Sequence, residues 1–261
     1  MAFVSIAVWE AAVPRRKRSY SRLRRWPSNL AVSALNQVLL RLVLSFTIVA
    51  SAITAANRGW GIFNNISAPQ WVAVATSVVL LDLVIYLQHV LFHAVPAFWR
   101  FHRVHHADLD FDVSTGVRFH PFEILLSALI KSLAVVVLGA PAVSVIIFEV
   151  LLNATSMFNH GNVRIADSID CFLRWILVTP DMHRVHHSIL PKETNSNFGF
   201  NLALWDRLFG TYQNQPAAGH ERMTIGIEQF RDIRELFLDR MLLQPFRGAS
   251  GEYPRLFGGD S

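Results

Sequence analysis

The chain has 261 residues and a formal net charge of +5, is 52% hydrophobic and only 16% charged, and has a mean hydropathy of +0.33; soluble domains carry about 25% charged residues. That deficit points to a membrane protein. The single cysteine, Cys171, excludes an intrachain disulfide, a thiolate zinc cluster and a Cys-ligated iron–sulfur centre, so any bound metal relies on nitrogen or oxygen ligands.

The positive charge is concentrated near the start, in PRRKRSYSRLRRW from Pro14 to Trp26. Because a hydrophobic stretch follows at once, this reads as a basic arm on anionic lipid head groups and not as a nucleic-acid site. The basic region is too long for a cleavable signal peptide and no A-x-A-like site follows it. Three regions are expected: a cytosolic N-terminal arm over residues 1–29, a membrane-embedded domain over 30–215, and a C-terminal tail over 216–261 whose last stretch, GASGEYPRLFGGDS, reads as frayed.

From Leu30 to Ala56 the sequence is apolar but holds Asn36, Gln37 and Arg41 in its first half, which predicts a helix that starts at the interface and then crosses. The run WVAVATSVVLLDLVIYLQHVLF, Trp71 to Phe92, is long enough to span roughly 30 Å of hydrocarbon at about 1.5 Å per residue. A third apolar stretch, Ile124 to Leu138, contains Lys131 and meets a fourth, Ala142 to Phe158, through Gly139, Ala140 and Pro141; that break predicts a tight helical hairpin. The fold class expected is an all-α membrane bundle of about four transmembrane helices with a cytosolic histidine-rich helical cap. Seven basic residues (Arg15, Arg16, Lys17, Arg18, Arg22, Arg24 and Arg25) precede the first span, whereas residues 57–70 hold only Arg58. The positive-inside rule therefore places the N-terminus in the cytoplasm. An even number of crossings then brings His93 and His160 to that same face.

Ten of the eleven histidines fall between His89 and His187. His89 and His93, in HVLFH, are i, i+4 on the second span and share a face that runs back through Tyr86 to Asp82. An ionisable group inside a membrane helix faces the bundle interior with a partner. Asp82 is therefore expected to orient an imidazole, a helix–helix hydrogen bond without metal being the alternative. The pentapeptide HRVHH occurs twice, at His102–His106 and His183–His187. In each copy the i, i+3 and i, i+4 pairs converge on one side, and the adjacent histidine reaches round toward a second metal. The three boxes supply eight histidines: His89, His93, His102, His105, His106, His183, His186 and His187. One four- to six-coordinate ion cannot use them all, so two metals follow, with Fe, Zn, Cu and Ni all suited to imidazole. His120 in RFHPFE and His160 in MFNHGN are further candidate ligands, Glu123 is either a supporting carboxylate or a helix-start residue, and His220 in QPAAGHER reads as a surface residue.

The ordered set HVLFH, HRVHH, HPFE, NHGN and a final HRVHH resembles the fatty acid hydroxylase and sterol desaturase superfamily of membrane non-haem di-iron enzymes. The stretch NSNFGFNLALWDRLFGTY, Asn195 to Tyr212, is similar to the end of the catalytic domain in bacterial members. The resemblance implies two iron ions, O2 as co-substrate and oxidation of a C–H bond in a lipid such as a fatty acyl chain or sterol, with hydroxylation ahead of desaturation. It gives ligand roles to the eight box histidines, makes His160 the extra histidine between the second and third boxes, and matches His120–Pro121 to the sterol-oxidising branch. Asp82 and Glu123 are the candidate catalytic carboxylates. With no G-x-G-x-x-G, P-loop or cysteine cluster in the chain, electrons must come from an external reductase, ferredoxin or cytochrome.

Two other classes compete. A membrane zinc hydrolase could use clustered histidines, but HVLFH lacks the glutamate of H-E-x-x-H. A haem protein would leave most histidines idle, and a metal transporter would need ligands on both membrane faces. The segment NFGFNLALWDRLFGTY is expected to be a helix whose Phe/Leu/Trp stripe caps the metal domain, with Trp205 and Phe209 able to line a substrate entrance.

Overall fold

The structure, a computed structural model, describes residues 1–43, 47–251 and 253. Among these the regular structure is helical. A short α1 (Ala2–Ala12) precedes α2 (Arg22–Val43) and α3 (Ile48–Arg58), then α4 (Gln70–Ala94), α5 (Pro96–His106), α6 (Pro121–Leu138) and α7 (Ala142–Asn159). Six short helices complete the chain: α8 (Asp167–Leu173), α9 (Pro180–His186), α10 (Pro191–Thr194), α11 (Leu204–Leu208), α12 (Gly219–Arg222) and α13 (Leu238–Leu243).

Helices α4, α6 and α7, with the α2–α3 region, are long and apolar enough to cross a membrane, and the chain is a multi-pass membrane bundle. The apolar segment expected from Leu30 to Ala56 carries two helices, the second starting at Ile48 where the Thr47 hydroxyl accepts the Ala50 N–H at 3.0 Å. The predicted hairpin forms at its predicted place. Gly139 takes up a left-handed φ of 64°, and the N–H groups of Gly139 and Ala140 return to the carbonyls of Val136 and Val135, closing α6 before Pro141 opens α7. The chain after α3 packs onto this turn so closely that a Cβ on Gly61 would lie 2.1 Å from the Gly139 nitrogen; no larger residue fits there.

α4 packs on α5, α6 and α7, and α3 packs on α6 and α7. Ala52, Leu81, Ile85, Val135, Val145 and Phe148 fill the space between them. Leu129, Leu133, Val137, Ile146 and Val150 of the hairpin face outward and are exposed. A surface that apolar is stable against hydrocarbon and not against water.

Much of the basic arm is built into the fold. Arg25 is fully buried, its guanidinium paired with Asp108 at 2.7 Å and Asp112 at 2.6 Å, and Arg15 reaches Asp181 at 2.8 Å. Arg22 pairs with the buried Glu10, whose other oxygen accepts the N–H groups of Val113 and Asn162. Four of the seven basic side chains are spent inside the protein if Arg16, which donates to the Met223 carbonyl, is counted. The C-terminal region is equally integrated. Arg103 of α5 donates to the carbonyls of Gln244, Arg247 and Ala249, and Tyr253 is buried, stacked on Trp99 at 5.3 Å with its hydroxyl donating to the Ile189 carbonyl. Residues 252 and 254–261 of the tail expected to be frayed lie outside the described residues.

Candidate metal centre

His89 and His93 project from the last turns of α4. At Val95 the backbone turns extended (φ −98°, ψ 117°) and Pro96 starts α5, as a proline at the first helical position favours. α5 therefore folds back on α4 and brings His102, His105 and His106 against the first pair. His160 ends α7. The short α9, capped by the Thr179 hydroxyl, supplies His183 and His186, with His187 just beyond.

Nine of the ten candidate ligand histidines come together, in two groups: His89, His93, His102, His106 and His186 in one, and His105, His160, His183 and His187 in the other. The two pentapeptides divide reciprocally. In the first copy the i, i+4 pair His102 and His106 enters the first group and His105 the second; in the second copy His183 and His187 enter the second group and His186 the first. The groups share a wall, with the rings of His106 and His187 stacked at 4.5 Å.

Hydrogen bonds at Nδ1 fix the tautomers of six of the nine; His106, His183 and His187 have no Nδ1 partner among the described residues. A carbonyl oxygen only accepts, so His89, His186, His105 and His160 each carry a proton on the Nδ1 that donates to the carbonyls of Phe198, Ser196, Arg118 and Ser156 respectively. His102 Nδ1 donates to Glu123 Oε1 at 2.6 Å and His93 Nδ1 meets Asn195 Oδ1 at 3.2 Å. Those six present an Nε2 lone pair to the cluster, and the Nε2 atoms converge: His89 and His102 are 3.1 Å apart, His93 and His106 3.2 Å, and His160 stands 3.1 Å from each of His105, His183 and His187. Converging lone pairs repel unless a cation lies among them. Two nitrogens each about 2.1 Å from one ion, at right angles, would be about 3.0 Å apart, so the spacing fits one ion per group.

Electrostatics agree. Burial penalises the imidazolium and pushes His102 down to about 3 and His160 down to about 4, and His105, His106, His183, His186 and His187 well below their ordinary range. All stay neutral at pH 7, the form that binds metal.

Glu123 accepts from His102 Nδ1. Three expectations need correction. Asp82 orients no imidazole among the described residues: its carboxylate accepts from the Asn201 side chain at 2.7 Å, the Trp205 indole at 2.9 Å and the backbone N–H groups of Asn201 and Leu202. A carboxylate so saturated has no lone pair left for a ring N–H. His120 joins neither group; its Nδ1 caps α6 through the Phe122 N–H at 3.2 Å and its Nε2 faces the Leu242 carbonyl. His220 is buried, 3.6 Å from Asp181.

The segment after Asn195 also differs from expectation. Only Leu204–Leu208 is helical; before it the chain is irregular, and its backbone carbonyls at Ser196 and Phe198 hold two of the clustered histidines. Asp206 ties this loop down by accepting from the N–H groups of Phe198 at 2.7 Å and Gly199 at 2.9 Å, and burial raises its carboxyl to about 6 against those bonds. Trp205 is buried on Asp82, whereas Phe209 is exposed and stacks on Tyr86 at 5.4 Å; neither lines the cavity beside His89 and His102.

A cavity of about 500 Å3 opens between α2, α3, α4, α6 and α7, with His89, His102 and Glu123 at its end. That is a size suited to an organic ligand.

Residues 74–211, more than half of the chain and including all nine clustered histidines, match the fatty acid hydroxylase family. The chain belongs to this family. Over 216 residues it is 28% identical to the ornithine lipid hydroxylase OlsE of Rhizobium tropici, a match covering 81% of this chain and 64% of that one. It is 25% identical over 161 residues to the alkylglycerol monooxygenase of Homo sapiens, covering 60% and 34% of the two chains, and 28% identical over 155 residues to the fatty acid hydroxylase vlmA of Lecanicillium sp, covering 54% and 42%. The chain thus spans less than two thirds of each of these relatives. No solved structure matches it.

Proposed function

We propose that this protein is an O2-dependent lipid hydroxylase with two iron ions, fed by an external electron donor at the cytoplasmic face of the membrane. The observation that carries the reading is the pair of abutting histidine groups at the end of a cavity within the membrane bundle. Relatives named for ornithine lipids, alkylglycerols and fatty acids support a lipid as substrate. His89, His93, His102, His106 and His186 would hold one iron, and His105, His160, His183 and His187 the other. Two redox-active ions held there would pass electrons from the donor to O2, the chemistry that C–H oxidation requires.

The overall reaction takes a C–H bond, O2, two electrons and two protons to an alcohol and water. With one cysteine and no nucleotide-binding motif, the chain relies on a partner for the electrons. Its own residues do the rest of the positioning. Ile85, Phe92 and Phe200 wall the cavity beside His89 and keep water from the reacting carbon. Glu123 and the carbonyls of Ser196 and Phe198 hold the imidazoles in the tautomer that presents Nε2.

Comparing lipid extracts of cells with and without the gene tests this. Hydroxylation adds one oxygen to a lipid, the desaturase alternative removes two hydrogens, and His186→Ala abolishes the change. A change that survives His186→Ala rules out the metal-dependent reading.

A further inference from the structure

The cavity carries polar groups where a channel for a plain hydrocarbon chain would have none. Lys131, the eleventh residue of the 18-residue α6, pairs with Glu149 in the middle of α7 at 2.7 Å, and both line the cavity. Along α6 the pair lies about 12 Å beyond Glu123, at about 1.5 Å per residue. Gln88 and Asn36 line the same space. Gln88 donates to Ser127 and Asn36 to the Phe119 carbonyl, but the side-chain oxygens Gln88 Oε1 and Asn36 Oδ1 are buried without a hydrogen-bond donor among the described residues. Buried acceptors are normally satisfied, and ionisable residues in the membrane interior mark ligand paths. The contrast lies on the far side of Glu123 and Phe92, where a recess of about 320 Å3 is walled by Phe98, Phe101, Phe122, Leu126 and Phe246.

We propose that the cavity selects its lipid by a polar group that donates hydrogen bonds (an amide N–H, a hydroxyl or an ammonium), received midway through the membrane by the Lys131–Glu149 pair, with Gln88 one turn nearer the histidines. The ligand being a lipid substrate rests on the hydroxylase reading; the recognition chemistry rests on the cavity. A group that offers donors shares Glu149 with Lys131 and lies toward the open Gln88 oxygen, and a bare alkyl chain leaves both facing methylenes. The polar contact and the histidines then hold the lipid at two points, which fixes the carbon presented to the metal centre.

The test uses the metal-loaded protein in detergent and four probes of equal chain length: hexadecanamide, hexadecylglycerol, hexadecylamine and hexadecane, each competing with a fluorescent hexadecyl ligand. The decisive variant is the double substitution Lys131→Met with Glu149→Leu. Replacing even a buried ion pair by apolar side chains of similar volume leaves stability unchanged or raised, so this partly buried pair, if purely structural, would tolerate it. Expected is wild-type preference for at least one polar probe over hexadecane by about tenfold, the scale of one hydrogen bond to a charged group, reduced to near parity in the double variant with metal content unchanged. Which of the three polar probes binds best tells amide, hydroxyl and ammonium apart. Gln88→Met, tested separately, lowers the same preference. Equal binding of all four probes by the wild type, or a preference that survives in the double variant, overturns the proposal. Selective binding without lipid oxidation would count against the hydroxylase reading alone.

Discussion

Replacing Arg25 by Met removes the cation from the most buried charge cluster next to the metal centre. Arg25, Asp108 and Asp112 have fully buried side chains, and three guanidinium nitrogens lie 2.6–2.7 Å from the two carboxylates. Burial alone would push the Asp108 carboxyl up; Arg25 and Arg118 override it and hold it down at about 2. Deleting one partner of such a pair costs about 3–5 kcal/mol because a buried charge is left uncompensated. Asp108 keeps hydrogen bonds from Thr115 at 2.9 Å and Asn29 at 3.2 Å, which places the loss near the lower end, about 3 kcal/mol. At about 2–4 °C per kcal/mol for a chain of this size, the melting temperature of the detergent-solubilised protein falls by about 6–12 °C. Arg24→Met, at an exposed neighbour, serves as the control and stays within about 2 °C. An Arg25→Met melt indistinguishable from that control would refute the reasoning, and with it the claim that the basic N-terminal region is part of the catalytic fold.

Other consequences follow from the same contacts. Glu123→Ala strips His102 Nδ1 of its acceptor and lowers metal affinity or turnover about 10–100-fold; Glu123→Gln, which keeps an acceptor oxygen, falls less, and metal-binding titration with turnover separates the two. His160→Ala removes the nitrogen around which His105, His183 and His187 gather, so elemental analysis finds about one metal per chain instead of two, with the first group still filled. Acid unfolds the metal-free protein. A free histidine gains its proton near pH 6.5 whereas His160 and His102 resist to about 4 and about 3, so the unfolded chain binds more protons in that window and stability drops as pH falls from about 6.5 toward 4. His160 alone contributes about 3 kcal/mol to that loss. Circular dichroism during acid titration of chelator-treated protein, flat down to pH 4, would contradict it.

Features set by neighbours in sequence were legible. The Gly139–Pro141 break needs only a left-handed residue and a proline to turn a helix back, and the HVLFH spacing puts His89 and His93 on one face of any α-helix. The pairing of distant histidines was legible only as a count: eight or more ligands demand two ions, but the reciprocal split of the two HRVHH copies depends on how α5 and α9 face each other. Errors arose where a side chain's partner lies far along the chain. Asp82 is one turn from Tyr86 and two from His89, yet its four donors come from residues 201–205. His120 is the local exception: it is expected among the ligands because the topology brings it to the same face, yet its own helix start uses it as a cap, a task that the proline at the next position hints at. Arg25 sits in a basic run that reads as an arm on lipid head groups, and only the Asp108–Asp112 loop, 83 residues on, explains its burial.

The central claim is that O2 delivers an oxygen atom to a lipid at the paired histidine groups. Iron-loaded protein in bilayers, supplied with a reductant, an electron carrier and isotopically heavy O2, is predicted to give a lipid product carrying one heavy oxygen and to lose that product in His186→Ala. Oxygen entering the product from water instead, or product formed without consuming O2, would contradict the account.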